Sequence, residues 1–119
     1  MKSFKELHGF EERKEICARH AETNSGYGLV IVEPYTPKEP RCTTTKYKVP
    51  WNAPWGKVVE AVRKSIYGVS NSHATIYLMV NGVIKTPVTP FKAIYDAEKD
   101  SDGILYVVYC QEAAFGSLN

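Results

Sequence analysis

The stretch Leu29-Val30-Ile31-Val32 decides how the rest of the chain is read. It is apolar at every position and mostly β-branched, the pattern of a strand buried on both faces. Pro34, Pro37 and Pro40 end it, and residues 34–44 read as a proline-rich loop. Upstream, the run from Glu11 to Thr23 has neither Gly nor Pro, carries acids in its first turn and stops before Asn24-Ser25-Gly26. That predicts a helix from about Phe10 to Thr23. Its narrow apolar stripe of Phe10, Ile16, Cys17 and Ala21 places it on a surface. Phe4 to His8 predicts a short helical turn broken by Gly9.

Downstream, Thr45-Lys46-Tyr47-Lys48-Val49 alternates, with Tyr47 and Val49 on one face and Lys46 and Lys48 on the other, until Pro50 stops it. Alternation bounded by proline predicts an exposed edge strand. Asn52-Ala53-Pro54 opens a helix whose apolar residues Trp55, Val58, Val59, Val62 and Ile66 keep helical spacing as far as Gly68. Ile76 to Val80 reads as a strand, and Asn81-Gly82 is a strong hairpin signal ahead of Val83-Ile84. Pro90 to Glu98 predicts a short helix. Leu105 to Cys110 predicts a last apolar strand in the middle of the sheet. The order of elements points to an α+β fold of the β-grasp type. It has a mixed four-stranded sheet, one main helix packed across it and two additional N-terminal helices. Residues 1–26 form the helical extension, 27–112 the core and 113–119 a tail, in one domain overall.

Composition excludes several classes of function. The 119 residues carry 15 Lys plus Arg against 13 Asp plus Glu, a formal charge of +2. That is too little to make the whole molecule a counter-ion for nucleic acid. There is no Gly-X-Y period, no low-complexity tract and no apolar run near the roughly 20 residues of a membrane span. Residues 1–20 are too charged to hold a signal-peptide core, so the chain is expected in the cytosol. Charge is unevenly spread: residues 38–84 carry seven basic and two acidic side chains, which marks a candidate partner-facing surface.

No catalytic or metal constellation emerges. Cys17 and His20 lie three apart on one helix, but no third group to orient the pair is placed. Cys17, Cys42 and Cys110 have no paired spacing, which argues against a disulfide framework or a cysteine zinc site, and His8, His20 and His73 have no ligand spacing. The acids Asp96, Glu98, Asp100 and Asp102 lack the Gly and Glu positions of a calcium loop and read as a solvated turn. Ser25-Gly26-Tyr27-Gly28 precedes a strand and is no phosphate loop. Lys46-Tyr47-Lys48 with Trp51 and Trp55 only weakly resembles a nucleic-acid surface, since Tyr47 points away from the lysines. No nucleic acid, metal or cofactor is expected. The tail Gln111-Glu112-Ala113-Ala114-Phe115-Gly116-Ser117-Leu118-Asn119 alone would be a frayed terminus. A Gly near its end fits enzyme clefts too narrow for a side chain.

Several short motifs then stand together. They are Phe10-Glu11-Glu12-Arg13, Val30-Ile31-Val32-Glu33, Lys46-Tyr47-Lys48-Val49-Pro50, Arg63-Lys64, Val80-Asn81-Gly82-Val83-Ile84, and Leu105-Tyr106-Val107-Val108-Tyr109 running to Phe115-Gly116. In this order and spacing the chain resembles the autophagy ubiquitin-like modifiers, the group of the GABA-receptor-associated protein and the microtubule-associated light-chain-three proteins. The resemblance covers nearly the whole sequence. Departures include Thr23, Thr44 and Ser65 where relatives often carry basic residues, and Leu29 in place of a common Pro.

The resemblance implies a substrate of other enzymes, not an enzyme. A processing cysteine protease would cut between Gly116 and Ser117, with Phe115 as the aromatic residue before the Gly. Activating and conjugating enzymes would then carry the Gly116 carboxylate as thioesters and join it to phosphatidylethanolamine. The product would sit on autophagosomal membranes. The resemblance also implies that cargo receptors and adaptors with an aromatic-x-x-aliphatic core add a strand beside the basic edge. One side-chain pocket would be lined by Ile16, His20, Leu29, Ile31, Lys46 and Ile104. The other would be lined by Tyr47, Val49, Pro50, Ala53, Val58, Ala61 and Val62, with Lys48 at the rim. A non-conjugated peptide-binding or trafficking adaptor of the same fold is the alternative.

Overall fold

Strand β1 (Tyr27–Pro34) carries the run that opened the reading, and Leu29, Val30, Ile31 and Val32 are each at most 4% exposed. The alternation of a strand sends them to opposite faces. Val30 and Val32 join one apolar cluster, while Leu29 and Ile31 join another on the far face. A computed structural model describes residues 2–69 and 74–111. Its elements run α1 (Phe4–Leu7), α2 (Phe10–Thr23), β1, β2 (Lys46–Pro50), α3 (Trp55–Tyr67), β3 (Tyr77–Val80), β4 (Val83–Ile84), α4 (Phe91–Glu98) and β5 (Leu105–Cys110).

The sheet order is β2-β1-β5-β3-β4. β1 is parallel to β5, and the other neighbours are antiparallel, so the sheet is mixed. The last apolar strand lies at the centre and the Lys46–Pro50 strand at an edge, as their patterns predict. The sheet has five strands rather than four. The extra one is the return arm Val83–Ile84, two residues held by Met79↔Ile84 and Val80↔Val83, too short to carry a period of its own. Its turn is made by Asn81 at φ 49° and Gly82 at φ 80°, the two positive values a tight hairpin needs.

α3 covers one face. Its Trp55, Val58 and Val62 are at most 2% exposed and pack with Val30, Val32, Leu105, Val107 and Tyr109. Burying each such side chain is worth about 1.5–3 kcal/mol, so this seam is the main apolar source of stability. The opposite face of β1 and the approach to β5 are covered by α1 and α2. Here α2 contributes less than its stripe predicts: Ile16 and Cys17 pack inward, but Phe10 is 40% exposed and Ala21 is exposed.

The acidic turn before β5 is the main correction. Asp102 is not solvated: its side chain has no accessible surface. It accepts from Arg13 Nε at 2.9 Å, Tyr106 OH at 2.5 Å and the Ile104 N–H at 2.8 Å. The bond to Asp102 is the first reason the Arg13 guanidinium is held above its ordinary pKa. Next to it, Gly103 adopts φ +91°, and a Cβ there would lie 2.8 Å from Cys17 Sγ. Gly103→Ala is therefore expected to destabilise the fold by about 1–3 kcal/mol, through left-handed strain and overlap with α2. A urea midpoint unchanged from wild type would contradict this packing.

Candidate functional site

The basic edge strand β2 pairs with β1 along one side only, through Gly28↔Val49, Leu29↔Lys48, Val30↔Tyr47 and Ile31↔Lys46. Among the described residues its other side is the edge of the sheet, a place where another strand can add. Alternation puts Lys46 and Lys48 outward and buries Val49, as the sequence predicts. Both ammonium groups lie over aromatic rings, Lys46 Nζ 6.0 Å from the Phe4 centroid and Lys48 Nζ 5.9 Å from that of Tyr27. Lys48 also donates to Asn24 Oδ1 at 3.3 Å, which draws it across the gap between β2 and the end of α2.

Four residues of the first predicted pocket come together: Leu29, Ile31 and Ile104 form a buried cluster with Ile16 packed against it. Lys46 borders it through its contact with Phe4. His20, one turn beyond Ile16 on α2, places its Nε2 3.1 Å from the Tyr27 carbonyl oxygen. The sequence reading missed Phe4, which is the fourth buried member of the cluster. Its only signal was to be the one aromatic residue in the N-terminal turn Phe4–Leu7.

The second predicted set is divided between core and surface. Val49, Val58 and Val62 are buried in the main core, Tyr47 and Ala53 are half-buried against it, and Pro50 and Ala61 are exposed. Tyr47 is held from the helix side, its OH donating to Ser65 Oγ at 2.9 Å and lying 3.4 Å from Cys42 Sγ. Burial first, and then the Cys42 contact, push the Tyr47 phenol above its ordinary pKa, so it stays a neutral hydroxyl. The result is an exposed main-chain edge with an apolar cluster on one side, a tyrosine wall on the other and two lysines between. Phe115, Gly116 and Ser117 lie outside the described residues.

Among the described residues no cluster of His, Cys, Asp and Glu is arranged to hold a metal ion. No helix among them is long and apolar enough to cross a membrane. A concavity of about 360 Å³ at the opposite edge, walled by Val59, Ile76, Leu78, Ile84 and Pro87, shares no residue with the predicted pockets.

Comparison with known proteins supplies an independent line. The family model for "Autophagy protein Atg8 ubiquitin like" matches residues 11–116. Autophagy-related protein 8 of Dictyostelium discoideum is 37% identical over 116 residues, covering 97% of this chain and 94% of the relative. Autophagy-related protein 8A of Oryza sativa subsp. japonica is 35% identical over 116 residues, covering 97% and 96%. Among solved structures, Plasmodium falciparum Atg8 in complex with a Plasmodium falciparum Atg3 peptide matches with TM-score 0.82 at 27% identity. That match covers 94% of this chain and 98% of that one. Trypanosoma brucei ATG8 matches with TM-score 0.81 at 24% identity, over 92% and 95%, a likeness of fold.

Proposed function

The chain belongs to the Atg8 family of ubiquitin-like autophagy proteins, and on that premise we propose that it is a lipid-conjugated modifier and adaptor. It is a ubiquitin-like protein and not itself an enzyme. A processing cysteine protease removes Ser117-Leu118-Asn119. Activating and conjugating enzymes then pass the Gly116 carboxylate to the amine of phosphatidylethanolamine. The observation that carries this reading is the family match itself, which reaches residue 116 and therefore takes in Phe115-Gly116. A Gly at the reacting end suits enzyme channels that exclude a side chain. Two acyl chains, at about 0.8 kcal/mol per buried CH₂, anchor a domain that has no spanning helix among its described residues. The Plasmodium Atg8 relative with its Atg3 peptide supports a conjugation-enzyme partner for this chain.

On the autophagosomal membrane the edge of β2 receives cargo receptors and adaptors with an aromatic-x-x-aliphatic core. The peptide pairs with the edge as an added strand, and Lys46 and Lys48 meet acidic residues beside its core. Reversing one of these charges weakens the complex through both attraction and approach. A Lys46→Glu variant is expected to bind such a peptide about tenfold more weakly by isothermal titration. Equal affinity of variant and wild type would remove β2 from the site.

A further inference from the structure

α1 is a single turn, far shorter than a helix that is stable by itself, so it stands on its contacts with the rest of the chain. Its one buried residue is Phe4. The ring lies on the cluster of Leu29, Ile31 and Ile104, and Ile31 and Ile104 beneath it have no accessible surface. A peptide side chain aimed at the first pocket thus meets a floor already covered by an aromatic ring of the chain itself. The polar contacts that hold α1 down include one largely shielded from water, since Arg13 Nη1, on a side chain 12% exposed, donates to the carbonyl of the cap residue His8 at 2.8 Å. Phe4 N–H donates to Glu33 Oε2 at 2.6 Å, and Lys5 Nζ, on a side chain 45% exposed, reaches Asp100 Oδ1 at 2.8 Å. The Lys5 pair, exposed as it is, exchanges with water at little cost.

We propose that α1 is a displaceable plug. Phe4 occupies the first of the two predicted pockets, and a peptide ring entering that pocket expels it, so that binding and the release of residues 2–8 are one event. The inference rests on the docking reading above. Lys46 is suited to the exchange, because its ammonium, now 6.0 Å from the Phe4 centroid, trades one aromatic face for another. The plug lowers apparent affinity by the fraction of molecules whose pocket is open.

The test titrates a synthetic peptide with a Trp-x-x-Leu core and an acidic flank against wild type, Phe4→Ala and Lys5→Ala. Phe4→Ala is expected to bind about tenfold tighter. Lys5→Ala, which loosens α1 without altering a pocket residue, shifts affinity the same way by a smaller factor. In wild type, the amides of Leu7 and His8, now bonded to the carbonyls of Ser3 and Phe4, are expected to exchange faster in the complex than in the free protein. Equal or weaker binding by both variants, with those amides as protected in the complex as before, overturns the plug and leaves the docking reading standing. Failure of the peptide to bind any of the three proteins overturns both. Should Phe4→Ala not fold, Lys5→Ala and the wild-type exchange decide the matter.

Discussion

Gly116→Ala is expected to abolish lipid conjugation while leaving the fold as it is. The residue lies beyond β5, whose pairings with β1 and β3 complete the sheet by Cys110, so thermal unfolding of the variant should match wild type. The chemistry at Gly116 is less forgiving. On the proposed route its carboxylate would be cut free, carried as a thioester and attacked by an amine, and a Gly there suits channels that exclude a side chain. Loss of one step is loss of the product, so the effect is all or nothing and not a graded change in rate. The check is the membrane-bound fraction of each protein in its own cells. Equal recovery of variant and wild type on membranes would sink the conjugation at Gly116.

Asp102→Ala is expected to cost about 3–5 kcal/mol of stability, the largest effect of any single substitution considered. The substitution leaves Arg13, whose side chain is 12% exposed, without its buried partner. It also strips the acceptor from Tyr106 OH and the Ile104 N–H. Arg13 keeps only the His8 carbonyl at 2.8 Å, and a shielded charge that loses its ion-pair partner pays much of its desolvation, whereas the pair as a unit is worth far less than this figure. Asp102→Asn keeps the shape and an acceptor for Ile104, and should fall between the two proteins. Denaturant unfolding measures both. A loss below about 1 kcal/mol for Asp102→Ala would mean that the Arg13 bond does not tie α2 to the turn before β5.

What the sequence disclosed and what it withheld divide along one physical line. Burial set by local periodicity was legible. The unbroken run from Leu29 to Val32, the alternation from Lys46 to Val49 and the helical spacing of Trp55, Val58 and Val62 each describe a face, and each face lies where its pattern predicts. Contacts that join distant positions were not legible. Asp102 reads as one more acid in a polar turn because its partner Arg13 lies 89 positions away. Phe4 reads as a stray aromatic in a short turn because the cluster it completes is built from β1 and the approach to β5. The fifth strand was legible only through its turn, since Asn81-Gly82 marks the hairpin but Val83–Ile84, two residues, cannot show a period to count as a strand.

The proposed docking site was half legible for the same cause. Lys46, Lys48 and the open edge of β2 follow from alternation and proline placement alone. Which apolar residues gather on either side depends on how α1, α2 and α3 seat on the sheet. Ile16 packs on the cluster of Leu29, Ile31 and Ile104, while Val58 and Val62 face the core.

The central claim, that this chain is a precursor whose working end is Gly116 and whose anchor is a lipid, is tested most directly by the intact mass of the protein. The sample is the membrane fraction of its own cells under conditions that drive autophagy. The predicted species has lost Ser117, Leu118 and Asn119 and gained the mass of one glycerophospholipid on the remaining 116 residues. An unmodified chain of 119 residues in every fraction and every condition would contradict it and leave a peptide-binding adaptor that is never conjugated.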